Sequence, residues 1–152
     1  MTQRLVLDTN IVLDVLVFAD PRTQALRAAV SDAPRVPGLV WLVTAPMRAE
    51  LARVLAYAPI AACLAQRGLR ADAVLGRFDA CVCEVAVAPK AAATCKDPDD
   101  QKFVDLAVSH GATLLSKDKA ILCMRRRLLR LGVVDVGVEW RGVAAVNPGA
   151  AT

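Results

Sequence analysis

The stretch Arg4-Leu5-Val6-Leu7-Asp8-Thr9-Asn10 runs three apolar residues straight into an acid. A short apolar run that stops at a charge reads as a buried strand delivering that charge to a sheet edge. Working outward, Thr9 to Phe18 turns helical, and a second helix is expected from Pro21 to about Ser31. Pro34, Pro37 and Gly38 mark a loop before the β-rich run Leu39 to Val43. Thr44 can cap the next helix, with Pro46 near its first position and Met47, Leu51, Val54 and Leu55 on one face.

Ile60 to Arg67 and Ala71 to Cys81 read as two shorter helices split by Gly68, and Glu84 to Val87 as a strand. A loop from Lys90 to Lys96 leads to Asp97-Pro98, which opens a helix reaching His110. Ala112 to Leu115 is the next strand, Asp118 starts a helix ending near Leu131, and Val133 to Val136 closes the sheet. Strands alternating with helices predict an α/β fold, three-layer α/β/α with a mostly parallel central sheet. The 152 residues fit one domain, expected over 1–146, with 147–152 as a flexible tail.

Composition narrows the chemistry. Apolar residues are 56% and aromatics 4%, so the core is aliphatic, and 22% charged residues argue against a disordered chain. No apolar run approaches the ~18 residues of a membrane helix, and Arg4 interrupts any export signal, so a cytoplasmic location with no membrane partner is expected. The five cysteines read as reduced, buried thiols, and His110, before Gly111, reads as part of a helix cap. A net charge of +4 is compatible with a polyanionic partner.

The acids carry the functional argument. Asp8 ends a buried strand, where it can cap the next helix or serve a metal, with Thr9 and Asn10 as supporting hydrogen-bonding groups. Glu50 leans toward the apolar face beside Met47, Leu51 and Val54, at a cost that a pair with Arg53 does not repay. Asp100 stands one turn before Phe103 and Val104 on the buried face, whereas Asp99 faces water and Asp97 is a cap or an outer helper. Asp118 follows a strand in Ser116-Lys117-Asp118. Asp14, Asp20, Asp32, Asp72, Asp79, Asp105, Asp135, Glu84 and Glu139 read as solvated or capping residues. Ligands in α/β folds bind outside the carboxyl ends of the strands, where Asp8, Glu50, Asp100 and Asp118 can converge. Converging like charges need cations, and oxygen-only ligands favour Mg²⁺ or Mn²⁺. Such ions can activate water and neutralise a phosphodiester.

The segments LVLDTNIVLDVL, APMRAELARVL, DPDDQKFVDLAVSHGA and TLLSKDKAIL together resemble the PIN-domain family, in the family's order. The D-P-x-D-x-x-F-x-x-x-A pattern with the S-K-D turn resembles the branch of type II toxin–antitoxin toxins related to VapC-like proteins. The resemblance implies a PIN-like nuclease domain, a Mg²⁺- or Mn²⁺-dependent endoribonuclease, an antitoxin partner and a homodimer. It assigns catalysis and metal binding to Asp8, Glu50, Asp100 and Asp118, with Thr9, Asn10, Asp97 and Ser116 in support. Ser116-Lys117-Asp118 departs from the family's usual Thr-Gly-Asp, and Lys117 either perturbs the site or meets a phosphate. The stretch from Ile60 to Cys83 is expected to form the helical hairpin that such proteins use for dimer or antitoxin contact.

Arg125, Arg126, Arg127 and Arg130 make one basic cluster, either a solvated face or phosphate anchors for RNA. A receiver domain would want adjacent acids after its first strand, and an aspartyl-nucleophile phosphatase wants D-x-D, where this chain has Asn10. The remaining alternative is a non-catalytic RNA- or protein-binding domain of the same fold.

Overall fold

The computed structural model describes residues 2–31 and 38–142. The expected loop positions Pro34 and Pro37, Asp32, and the tail after Asn147 lie outside the described residues. Leu5, Val6 and Leu7 are all buried, so β1 (Gln3–Leu7) is covered on both faces, as its continuous apolar run requires. It is joined in one sheet by β2 (Leu39–Val43), β3 (Val82–Glu84), β4 (Thr113–Leu115) and β5 (Asp135–Gly137). The order is β3-β2-β1-β4-β5, with every pairing parallel.

Parallel neighbours need crossovers, and helices supply them. α1 (Thr9–Leu13) and α2 (Gln24–Ser31) lead to β2, and α3 (Ala45–Ala56), α4 (Ala58–Gln66) and α5 (Ala71–Cys81) lead to β3. α6 (Gln101–His110) leads to β4, and α7 (Lys119–Leu122) and α8 (Arg125–Arg130) lead to β5. Right-handed crossovers running in opposite directions lay their helices on opposite faces, which gives the expected three-layer α/β/α arrangement. Phe103, Val104, Leu106 and Ala107 are the buried face of α6, which packs on β1 and β4. On the other flank Trp41 of β2 meets Phe78 of α5 edge to face, centroids 5.2 Å apart. Strand order reverses at β1, so the crevice between β1 and β4 opens at their carboxyl ends.

Several local expectations shift. β3 begins at Val82 and ends at Glu84, because α5 runs into the strand without a linker and Val82 pairs with Trp41. Val85 still bonds Val43, but Val87 beyond it is exposed. β5 begins at Asp135, with Val133 packed in the core before it. The helix expected from Asp118 to Leu131 is two helices: Met124, with ψ of 0°, interrupts the run and buries its side chain. α1 passes into a π-helical turn (Asp14–Phe18) that ends at Ala19 with φ of 49°. Pro21–Thr23 is a 3₁₀ turn before α2. Asp14 is not solvated: it is 6% exposed and pairs with Lys117 Nζ at 2.7 Å, a partner that no local periodicity reveals. The cysteines are all free, but only Cys95 is buried, while Cys83 and Cys123 are exposed.

His110 ends α6, and Gly111 caps it in the left-handed conformation with φ of 58°. A Cβ at Gly111 would stand 3.4 Å from the Gly132 carbonyl oxygen, on the turn that sends the chain into β4. Gly111→Ala is expected to destabilise the protein by about 1–2 kcal/mol. Urea unfolding should show this as a lower midpoint at unchanged slope.

Candidate metal centre

β1 carries Asp8 one residue past its end, and the strand pairing continues there: Asp8 N–H donates to the Leu115 carbonyl at 2.9 Å. The side chain does not cap α1; only its backbone carbonyl serves the helix, accepting from Ile11 and Val12. Its Oδ2 instead accepts from Ser116 Oγ at 2.6 Å and from Asn10 Nδ2 at 3.3 Å. Ser116 is fully buried past the end of β4, and its Oγ also accepts from the Asp118 backbone N–H at 2.9 Å. One hydroxyl thus links the ends of the two strands that flank the crevice. Asn10 extends the link, its Oδ1 accepting from the Lys117 N–H at 3.2 Å.

Asp100 arrives from a 3₁₀ turn (Pro98–Asp100) at the head of α6. Asp97 caps that turn, its Oδ1 accepting from the Asp99 N–H at 3.0 Å. The cap leaves Asp100 free to face the crevice, where it is 7% exposed. Gln101 ties the preceding loop to α6 through the Cys95 N–H and the Ala93 carbonyl. Asp118 is the N-cap of α7, with Oδ1 accepting from the Ala120 N–H at 2.9 Å.

Asp8, Asp100 and Asp118 each offer an oxygen, and these oxygens lie within 4.8 Å of one another. Glu50 is not in that group. It lies beside it, Oε2 accepting from Thr9 Oγ1 and Oε1 from Lys102 Nζ, with no bond to Arg53. Lys117 is drawn by Asp14 to one side. The Arg125 guanidinium is used in the fold, bonding the Val136 carbonyl at 3.0 Å and Asp135 at 3.1 Å. Arg126 and Arg127 are exposed on α8. Lys102 and Asp14 carry no motif. The available signal for Lys102 was a cation in the first turn of a helix, where the dipole disfavours one.

Burial pushes the Asp8 carboxyl above the usual carboxylate range, and the Ser116 hydrogen bond opposes the shift without cancelling it. The order is physical: a hydrogen bond to a charged group contributes about 1.5–3 kcal/mol, whereas desolvating an ion costs several. Asp100 is pushed up to about 8, first by burial, then by sharing its proton with Asp118, then by the charge on Asp8. Asp118 moves down, because it accepts from Asp100 and from the Ala120 N–H. Asp100 Oδ2, like Gln3 Oε1 away from the acids, is a buried oxygen with no hydrogen-bond partner among the described residues. An all-oxygen donor set with an unpartnered buried oxygen fits a hard divalent cation.

A group of three acids at the point where a parallel sheet reverses its strand order defines an α/β protein with a candidate cation site at its switch point. A family model described as PIN domain matches residues 4–120, and the chain belongs to that family. Its members generally use divalent metal ions and bind nucleic acid. No curated protein matches the chain. Among the described residues, no helix is long and apolar enough to cross a membrane.

The raised carboxyls set a pH dependence. A folded-state pKa above the unfolded 3.8 means that the native protein holds its proton more tightly, so its stability falls as pH rises through that window. In EDTA, unfolding free energy should decline from about pH 4 to about pH 8, and Asp100→Asn should flatten much of that slope. Asp118, shifted the other way, acts only below this window. Denaturant titrations at half-unit pH steps measure it, and a slope unchanged in the variant would reject the assignment.

Proposed function

We propose that the protein is a metal-dependent endoribonuclease that hydrolyses RNA phosphodiesters, acting in the cytoplasm as the toxin of a type II toxin–antitoxin pair. The observation that carries the reading is the trio of carboxylate oxygens within 4.8 Å, one of them on a residue with an unpartnered buried oxygen. Asp8, Asp100 and Asp118 would hold the ion. Bound there, Mg²⁺ or Mn²⁺ would supply Lewis acidity, easing ionisation of the attacking water and offsetting charge on the phosphodiester.

The chain's own residues do the rest. Ser116 and Asn10 fix the Asp8 carboxylate so that it meets the cation without reorganising. Asp100 would give up its proton when an ion is held, whereas Asp118, shifted down, would already be charged. Thr9 and Lys102 hold Glu50 next to the trio, where its charge reaches Asp8. Asp97 supports the turn that presents Asp100. Arg126 and Arg127 are available to phosphates, while Lys117 is paired with Asp14 and Arg125 with Asp135.

The toxin role rests on the D-P-x-D and S-K-D patterns. An antitoxin and a homodimer go with it, and α4 with the Tyr57 that precedes it supports such contacts by exposing Tyr57, Ala58, Pro59, Ala61, Ala62 and Ala65. The free cysteines suit a reducing compartment.

The test is cleavage of a mixed RNA panel in Mg²⁺, Mn²⁺ or EDTA by wild type, Asp8→Asn and Ser116→Ala. Cleavage should require metal, vanish in Asp8→Asn, and fall about 10- to 100-fold in Ser116→Ala through lost support of the ligands. Cleavage that persists in EDTA or in Asp8→Asn rejects the mechanism. Absence of cleavage by folded, antitoxin-free protein favours a binding role.

A further inference from the structure

Glu50 lies outside the three-oxygen group and is paired with an ammonium. Lys102 Nζ donates to Glu50 Oε1 at 2.8 Å, and Thr9 Oγ1 occupies Oε2, so both carboxylate oxygens are engaged. The pair is largely buried, with Lys102 and Glu50 side chains 23% and 20% exposed. The same ammonium donates to the Asp99 carbonyl and stands 4.9 Å from the centroid of the Phe103 ring. It is held in the first turn of α6, against the positive end of the helix dipole, so the attraction of neighbouring negative groups must outweigh that field.

A divalent ion on Glu50 would have to break this charge-assisted bond or sit beside a fixed positive charge. Two-metal centres place their ions roughly 3.5–4 Å apart, and even with one carboxylate bridging them the second positive ion calls for a further free acid. Here three acids form one group and the fourth is already paired with an ammonium.

We propose that Lys102 takes the place of a second divalent ion: its ammonium neutralises Glu50 and withholds it from ligation, so the centre binds one divalent cation on Asp8, Asp100 and Asp118. Lys102 is a positioning residue, acting through Glu50. The inference rests on the metal-site reading above and fixes its stoichiometry.

The test counts Mn²⁺ bound to RNA-free protein by electron paramagnetic resonance, in wild type, Lys102→Met and Lys102→Arg, with circular dichroism to confirm folding. Wild type and Lys102→Arg should bind one Mn²⁺ per chain, and Lys102→Met two. Two ions of similar affinity in wild type, one in Lys102→Met, or two in Lys102→Arg would each overturn the proposal. If Lys102→Met does not fold, Glu50→Gln decides: one bound Mn²⁺ per chain with an unchanged paramagnetic resonance spectrum supports the proposal, and an altered spectrum of the bound ion makes Glu50 a ligand and overturns it. No Mn²⁺ binding at all removes the metal reading and the proposal together. The expected counts in a protein that cleaves no RNA would leave the proposal standing and remove only the nuclease.

Discussion

Repulsion among the carboxylates of Asp8, Asp100 and Asp118, crowded within 4.8 Å, constrains everything around them. Without a cation the protein relieves it in two ways. Burial and the neighbouring acids push the Asp100 carboxyl up towards its protonated form, and Asp8 accepts from the Ser116 hydroxyl. Both measures are partial, since Asp8 remains raised and one Asp100 oxygen has no partner. A divalent cation satisfies all three acids at once. The site is therefore built at the expense of stability and repaid on binding.

The fold makes such crowding possible. β1 and β4 are adjacent and parallel, so Asp8 and Ser116 emerge side by side although they are far apart in sequence. The 3₁₀ turn capped by Asp97 adds Asp100 from the head of α6, which packs on the same two strands. Charge outside the trio is handled separately, by Lys102 on Glu50 and by Lys117 on Asp14. Each lysine is thereby kept on a carboxylate that is not one of the three.

What could be read from the sequence follows the range of the forces involved. β1 was legible because three apolar residues stop at Asp8, and the parallel α/β arrangement because runs of each period alternate. The burial of Asp100 was legible from its phase relative to Phe103 and Val104, and the caps at Asp97 and Asp118 from residue type. Asp14 was not: its burial depends on a π-helical turn and on a lysine from the far side of the crevice. The Glu50–Lys102 pair joins α3 to α6, and no spacing within either helix reveals it. β3 was misplaced because Val85 and Val87 have strand character, while pairing with β2 starts earlier, where α5 stops.

The central claim is that repulsion among these three acids is what a divalent cation relieves. Its most direct measurement is the melting temperature at pH 8 with EDTA and with Mn²⁺, for wild type and Asp100→Asn. At an Mn²⁺ concentration about 100 times its Kd, wild type should melt about 5–10 °C higher than in EDTA. Asp100→Asn should melt higher than wild type in EDTA and gain little from Mn²⁺. An equal gain in both proteins, or none in wild type, would contradict the account.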